Sequence, residues 1–153
     1  RDCFYSCGVW RLMRVYCRLI EGPVSAAWCK AQVVLDNSVG CTLCFTGQVR
    51  QNNNQRNDVV ALHYQAYPEM FEAEVKKISG EMASRFELLA IAVEHSVGEI
   101  KLGEQAVYVA VSAAHRRDTF AALEFFMAQL KKRVPIFKKE VYSDGAQWLG
   151  EQE

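Results

Sequence analysis

Five basic side chains, Lys131, Lys132, Arg133, Lys138 and Lys139, crowd into the stretch LKKRVPIFKKE around an apolar Val134-Pro135-Ile136-Phe137. The chain as a whole carries 18 basic and 18 acidic residues, a formal net charge of zero over 153 positions. A chain so balanced does not coat nucleic acid or an anionic membrane over its whole surface, so any anion binding must be local. The cluster therefore reads as a solvated surface, a nucleic-acid patch or a pocket for an anion. A stacking platform for nucleic acid needs several exposed aromatics on one basic face. Here Ile136 and Phe137 read as strand core, so no nucleic-acid partner is expected.

Three features carry the pocket reading. RRDTFAALEFFMAQLKKR (116–133) has helical spacing, with Phe120, Leu123, Met127 and Leu130 as its apolar stripe. Lys131 follows Phe120 by eleven residues, which at about 100° per residue is about 20° around the helix. Its stem leaves beside the apolar face, and it either snorkels past its neighbours or enters a pocket. In a pocket, partial desolvation favours the neutral, nucleophilic or basic amine. At the other end of this helix, an apolar strand runs into Ser112-Ala113-Ala114-His115-Arg116. Free backbone N–H groups and the positive end of the dipole then sit beside a His and an Arg, which suits an anion as well as an ordinary helix entry with a solvated Arg. In TGQVRQNNN, Gly47 permits close backbone approach, and Arg50 stands where a strand opens into a polar loop. Arginine there is suited to bidentate recognition of phosphate.

All six cysteines lie before position 45, and a disulfide framework would spread further along a short secreted chain. Cys41 and Cys44 have CxxC spacing but fall in VGCTLCFTGQV, which reads as a strand. Residues three apart in a strand point to opposite faces, the wrong geometry for chelation or a dithiol. Buried thiols in a reducing compartment are the plainer reading, and three histidines give no metal triad. No metal or cofactor is expected. Residues 1–20 set four arginines against Asp2, faintly like an organellar transit segment but without its serines. No run approaches the apolar length of a transmembrane helix. The expectation is a cytoplasmic protein with residues 1–9 as an uncertain tail and 10–153 as one domain.

The elements that must position these residues follow from pattern. WRLMRVYCRLI (10–20) alternates as a strand near an edge. Pro23 opens a short helix over about 24–35. Strands at about 41–49 and 59–67 flank the wholly polar loop QNNNQRND. Pro68 starts a long helix whose buried stripe is Phe71, Val75, Ile78, Met82 and Phe86. Strands follow at 88–100 and 105–113, the second apolar on both faces and therefore central. Pro135 stops the second long helix, and IFKKEVY begins the last long strand. The expected class is α+β, a mainly antiparallel sheet with two long helices and a shorter N-terminal one.

Five blocks, FTGQVRQNNN, VVALHYQAYPEM, VSAAHRRDTF, LKKRVPIFKKE and SDGAQW, follow one another within residues 40–148. In content, order and spacing they resemble the large, catalytic subunit family of molybdopterin synthase. Residues 10–39 share only its strand–helix pattern. The resemblance implies the family's hammerhead-like α/β fold and a sulfurtransferase without a cofactor. The implied reaction moves sulfur from the thiocarboxylated C-terminus of a small ubiquitin-like subunit to cyclic pyranopterin monophosphate (precursor Z), forming the molybdopterin dithiolene. The implied assembly is a heterotetramer built on a homodimer of large subunits, with no membrane partner. The family's pocket residues fall on Arg50, His115 and Arg116 for substrate binding and on Lys131 and Lys138 for catalysis. His63 and Gln65 stand where the family often has two glutamates, and Cys41 and Cys44 where small or β-branched residues are usual.

Overall fold

Eight strands and three helices make up the residues that a computed structural model of the chain describes: 3–7, 11–34, 36–52 and 56–149. The elements run β1 (Cys3–Cys7), β2 (Arg11–Glu21), α1 (Ala26–Val33), β3 (Cys41–Gln48), β4 (Val59–Ala66) and α2 (Pro68–Ala83). Then come β5 (Ala90–Lys101), β6 (Gln105–Ala113), α3 (Arg116–Arg133), β7 (Ile136–Tyr142) and β8 (Gly145–Leu149). The class is α+β, as the sequence pattern implied.

Strand β5 organises the sheet. Along Ala90–Val97 it pairs with β2 in parallel, the one departure from an otherwise antiparallel pairing scheme. On its other side β6 pairs antiparallel and in turn carries β3. At Gly98 (φ 80°) the strand bends, and Gly98–Lys101 pairs with β4, which continues to β7 and β8. Glycine suits this bend because a φ of 80° is a conformation that residues with a Cβ rarely adopt.

Both faces of β5 and β6 are buried, and each face accepts a different helix layer. Ile91, Val93, Val109 and Val111 meet Phe71, Val75, Ile78 and Met82 of α2 and Ala122, Leu123 and Phe126 of α3. On the opposite face the small Ala90, Ala92 and Ala110 let α1 approach with Cys29 and Val33. Buried Glu94 fixes the start of α1, accepting hydrogen bonds from Arg18 Nε at 2.6 Å and from the Ser25 N–H at 3.0 Å. Arg18 also lies over the Trp28 ring at 4.2 Å. A third cluster, Val49, Val59, Leu62, Ile100, Ala106 and Tyr142, underlies the β4–β7 half.

Several expectations change. Cys3–Cys7 pairs antiparallel with β2 instead of lying in a tail, so β2 is interior, flanked by β1 and β5. Phe4 and Tyr5 favour extended backbone, and β2 offers them a free edge. The apolar stripe of α3 is rotated: Thr119, Ala122, Leu123, Phe126 and Leu130 are buried, whereas Phe120 is 60% exposed. Both stripes obey helical spacing, and the position of the sheet selects between them. Phe86 lies beyond the end of α2, half-buried, with its ring 6.1 Å from that of Phe125. Among the described residues no helix is long and apolar enough to cross a membrane.

Candidate active site

Two chain reversals bring three cations together. The first is the exit from β3. A register shift at Gly47/Gln48 turns the strand, and Val49 locks the turn by donating to Glu104 O at 2.9 Å and accepting from the Gly103 N–H at 2.8 Å. Gly47 presses against β6, where a Cβ would lie 2.7 Å from Val107 Cγ1. Arg50 follows directly, exposed at the mouth of a recess. The second reversal is Val134-Pro135, which ends α3 and starts β7. Lys131 occupies the last turn of α3, one turn after half-buried Met127. Lys138 and Glu140 share one face of β7 by strand alternation.

Arg50, Lys131 and Lys138 all line this recess of about 270 Å³, together with Asn52, Tyr64, Met127 and Glu140. None of the three cations forms a salt bridge with a described residue. Burial holds the half-buried Lys138 ammonium below the usual lysine range. Glu140 opposes that shift, while the positive charges of Lys131 and Arg50 add to it. Glu140 is itself 4% exposed and accepts a hydrogen bond from the Tyr142 hydroxyl. The Arg56 guanidinium lies 4.0 Å over the Tyr142 ring and donates to Asp58 and, at 2.9 Å, to Asp144. These contacts fasten the far end of the polar loop to the β7–β8 hairpin. A recess lined by three cations outside any salt bridge with a described residue, one of them a lysine whose ammonium form burial disfavours, can bind an anion and move a proton beside it.

His115 and Arg116 lie elsewhere. His115 is the N-cap of α3 and Arg116 its first residue, both exposed, and neither lines the recess. Fifteen residues of α-helix separate Arg116 from Lys131, roughly 22 Å along the axis, more than the two side chains can bridge. Cys41, at the start of β3, sits beside this helix entry with Sγ 3.3 Å from Thr119 Oγ1. Cys44 is exposed on the opposite face of β3, as strand alternation requires. Among the described residues no group of three or more His, Cys, Asp or Glu side chains is placed to hold a metal ion.

Sequence pattern alone did not single out Tyr64, Met127 or Glu140. Glu140 was legible, since it follows Lys138 by two in a strand. Tyr64 was not, because it meets Lys138 only through the β4–β7 register. A larger, more open groove of about 650 Å³ adjoins the recess, sharing Tyr64 with it and lined by Glu21, His63, Gln65, Tyr67 and Phe137. It gathers no cluster of cations, so the smaller recess is the chemically competent cavity. The departures at His63 and Gln65 fall in this outer groove and leave the recess residues intact.

An α+β domain whose helix C-terminus, strand exit and neighbouring strand converge on a cationic pocket defines an enzyme-like anion site. Comparison with known proteins fixes its lineage. The MoaE protein family model matches residues 19–133, and the chain belongs to that family. It is 38% identical to molybdopterin synthase catalytic subunit 1 of Mycobacterium tuberculosis over 90% of this chain and 92% of that one. Molybdopterin synthase from Staphylococcus aureus superposes with a TM-score of 0.77 at 28% identity, covering 86% of this chain and 95% of the other. The molybdopterin biosynthesis MoaE protein of Burkholderia ambifaria superposes at 0.74 with 32% identity, covering 91% of each chain.

Proposed function

We propose that this chain is the catalytic subunit of a molybdopterin synthase, transferring sulfur from a thiocarboxylated small ubiquitin-like subunit to cyclic pyranopterin monophosphate. The observation that carries this reading is the meeting of Arg50, Lys131 and Lys138 around one recess. Both reactants are anionic, and the recess offers charge-assisted hydrogen bonds to each. Sulfur attacks a side-chain carbon of the pterin substrate, and an oxygen substituent leaves as water. Hydrolysis of the resulting acyl–sulfur bond leaves sulfur on the substrate and a carboxylate on the partner. A second charged partner delivers sulfur to the adjacent carbon, where the leaving oxygen stays on phosphorus and the cyclic phosphate opens to a monoester. Lys131 stabilises the developing charge or passes a proton during attack, and Lys138 holds substrate beside it. The free thiols Cys29, Cys41 and Cys44 suit a reducing cytoplasm.

His115 and Arg116 join this chemistry only from a second copy. Strand β3 pairs with β6 on one side, and among the described residues its other edge is unpaired. A two-fold antiparallel pairing of β3 with itself, centred near Cys44, sets Cys41 against Gln48 of the other copy. Cys41 pairs with Ala113, two residues before His115, so each copy's helix entry approaches the other's Arg50. The homodimer thereby supplies substrate-binding residues in trans.

The direct test mixes the protein with thiocarboxylated small subunit and precursor Z and measures dithiolene formation. Product is expected, and Lys131→Ala is expected to lose most of the turnover while staying folded. Binding of both reactants without product would instead identify a non-catalytic module for the ubiquitin-like partner. A folded Lys131→Ala variant with full turnover would remove the catalytic assignment.

A further inference from the structure

We propose that Tyr64 is a substrate-contacting residue whose hydroxyl donates a hydrogen bond to an anionic oxygen of the pterin phosphate substrate, a role that rests on the sulfur-transfer reading. Tyr64 pairs across from Lys138 in the β4–β7 register, so both side chains rise from the same patch of sheet. It lines the recess and also forms the wall between it and the outer groove. Its ring is held by packing. The ring of His95 meets it edge-on, with centroids 5.1 Å apart and planes at 81°. His95 is 6% exposed, and its Nδ1 lies 2.8 Å from Ser96 O. A fixed ring gives its hydroxyl a fixed direction, which is the requirement for a specific contact.

That hydroxyl has no hydrogen-bond partner among the described residues, although the residue is half-buried in a site otherwise built from charges. A partly buried phenol left unpaired inside a cationic recess is a donor in want of an acceptor. Burial, and after it the negative charge of Glu140, pushes its pKa up to about 12, so it remains a neutral phenol. It can therefore donate without adding negative charge to a pocket that must attract anions. Arg50 and Lys131 are exposed at the mouth, whereas Tyr64, Lys138 and Glu140 lie deeper. The deeper position assigns Tyr64 to the small substrate, not to the partner's peptide tail.

Tyr64→Phe keeps the ring against His95 and deletes only the donor. In the reconstituted reaction we expect KM for precursor Z to rise about tenfold, as for loss of a hydrogen bond to a charged group. Expected unchanged are kcat within about twofold, the thermal midpoint and small-subunit affinity measured by calorimetry. Wild-type KM and kcat in the variant, or a loss confined to small-subunit affinity, would overturn the assignment. Calorimetric titration of precursor Z alone into both proteins separates this inference from the broader one. If the wild type binds substrate but makes no dithiolene, the sulfur-transfer reading fails, and equal affinities for wild type and variant would then sink the Tyr64 contact on its own.

Discussion

Lys131→Ala and a His115→Ala/Arg116→Ala double variant, each assembled alone, put one lesion in every recess of a two-copy enzyme. Both should be nearly inactive. When the two are mixed and allowed to exchange subunits, random pairing makes about half of the dimers hybrids. In each hybrid one recess receives both lesions, and the other receives Lys131 from one copy and His115 with Arg116 from its mate. One recess in two is restored in half of the dimers, so the mixture should recover about a quarter of wild-type turnover. The length of α3 forces this outcome, since its 18 residues hold Arg116 and Lys131 roughly 22 Å apart within one chain. If the five residues instead acted within a single copy, every chain of a hybrid would carry a lesion and no activity would return. Dithiolene formation reports turnover, and native mass spectrometry of differently tagged subunits reports hybrid formation. Hybrids present in the expected proportion with activity no higher than the parents would refute the two-copy site. Full activity of the His115→Ala/Arg116→Ala variant by itself would remove those residues from the chemistry.

Lys138 should titrate below free lysine when its Cε resonance is followed by NMR, and Lys131→Gln should move its midpoint back up by removing a neighbouring positive charge. Between the depressed value and the ordinary one near 10.5, the unfolded chain binds more protons than the folded one, so this group's contribution to stability grows as pH rises through that window. A midpoint at or above that of free lysine would contradict the burial argument. Gly40→Ala places a Cβ 2.2 Å from Ala114 O, a backbone atom, where β3 meets the entry to α3. It should cost about 1–3 kcal/mol and lower the thermal midpoint by about 2–4 °C for each of them. An unchanged midpoint in a thermal melt would show that this junction gives way easily.

Local chemistry made much of the framework readable. Pro135 and the SAAHRR entry bounded α3, whose observed limits are those read from the sequence, because helix termination is decided by neighbouring residues. Alternation in IFKKEVY likewise put Lys138 and Glu140 on one face before any partner strand was known. The parallel pairing of β2 with β5 was not readable, since it joins segments more than seventy residues apart and leaves no local mark. Nor was the choice between Phe120 and Phe126 as the buried ring of α3. Helical periodicity admits both stripes, and only the position of the sheet buries Phe126 completely.

For the site, the sequence by itself determined which cations were available and how far apart one helix must hold them. A rise of about 1.5 Å per residue already separates Arg116 from Lys131. Tertiary structure alone decided that Arg50 meets Lys131 and Lys138, that Tyr64 shares their recess, and that His115 lies outside it. Those outcomes depend on strand register and on the closure of long loops, where contacts between residues far apart in the chain outweigh any local preference.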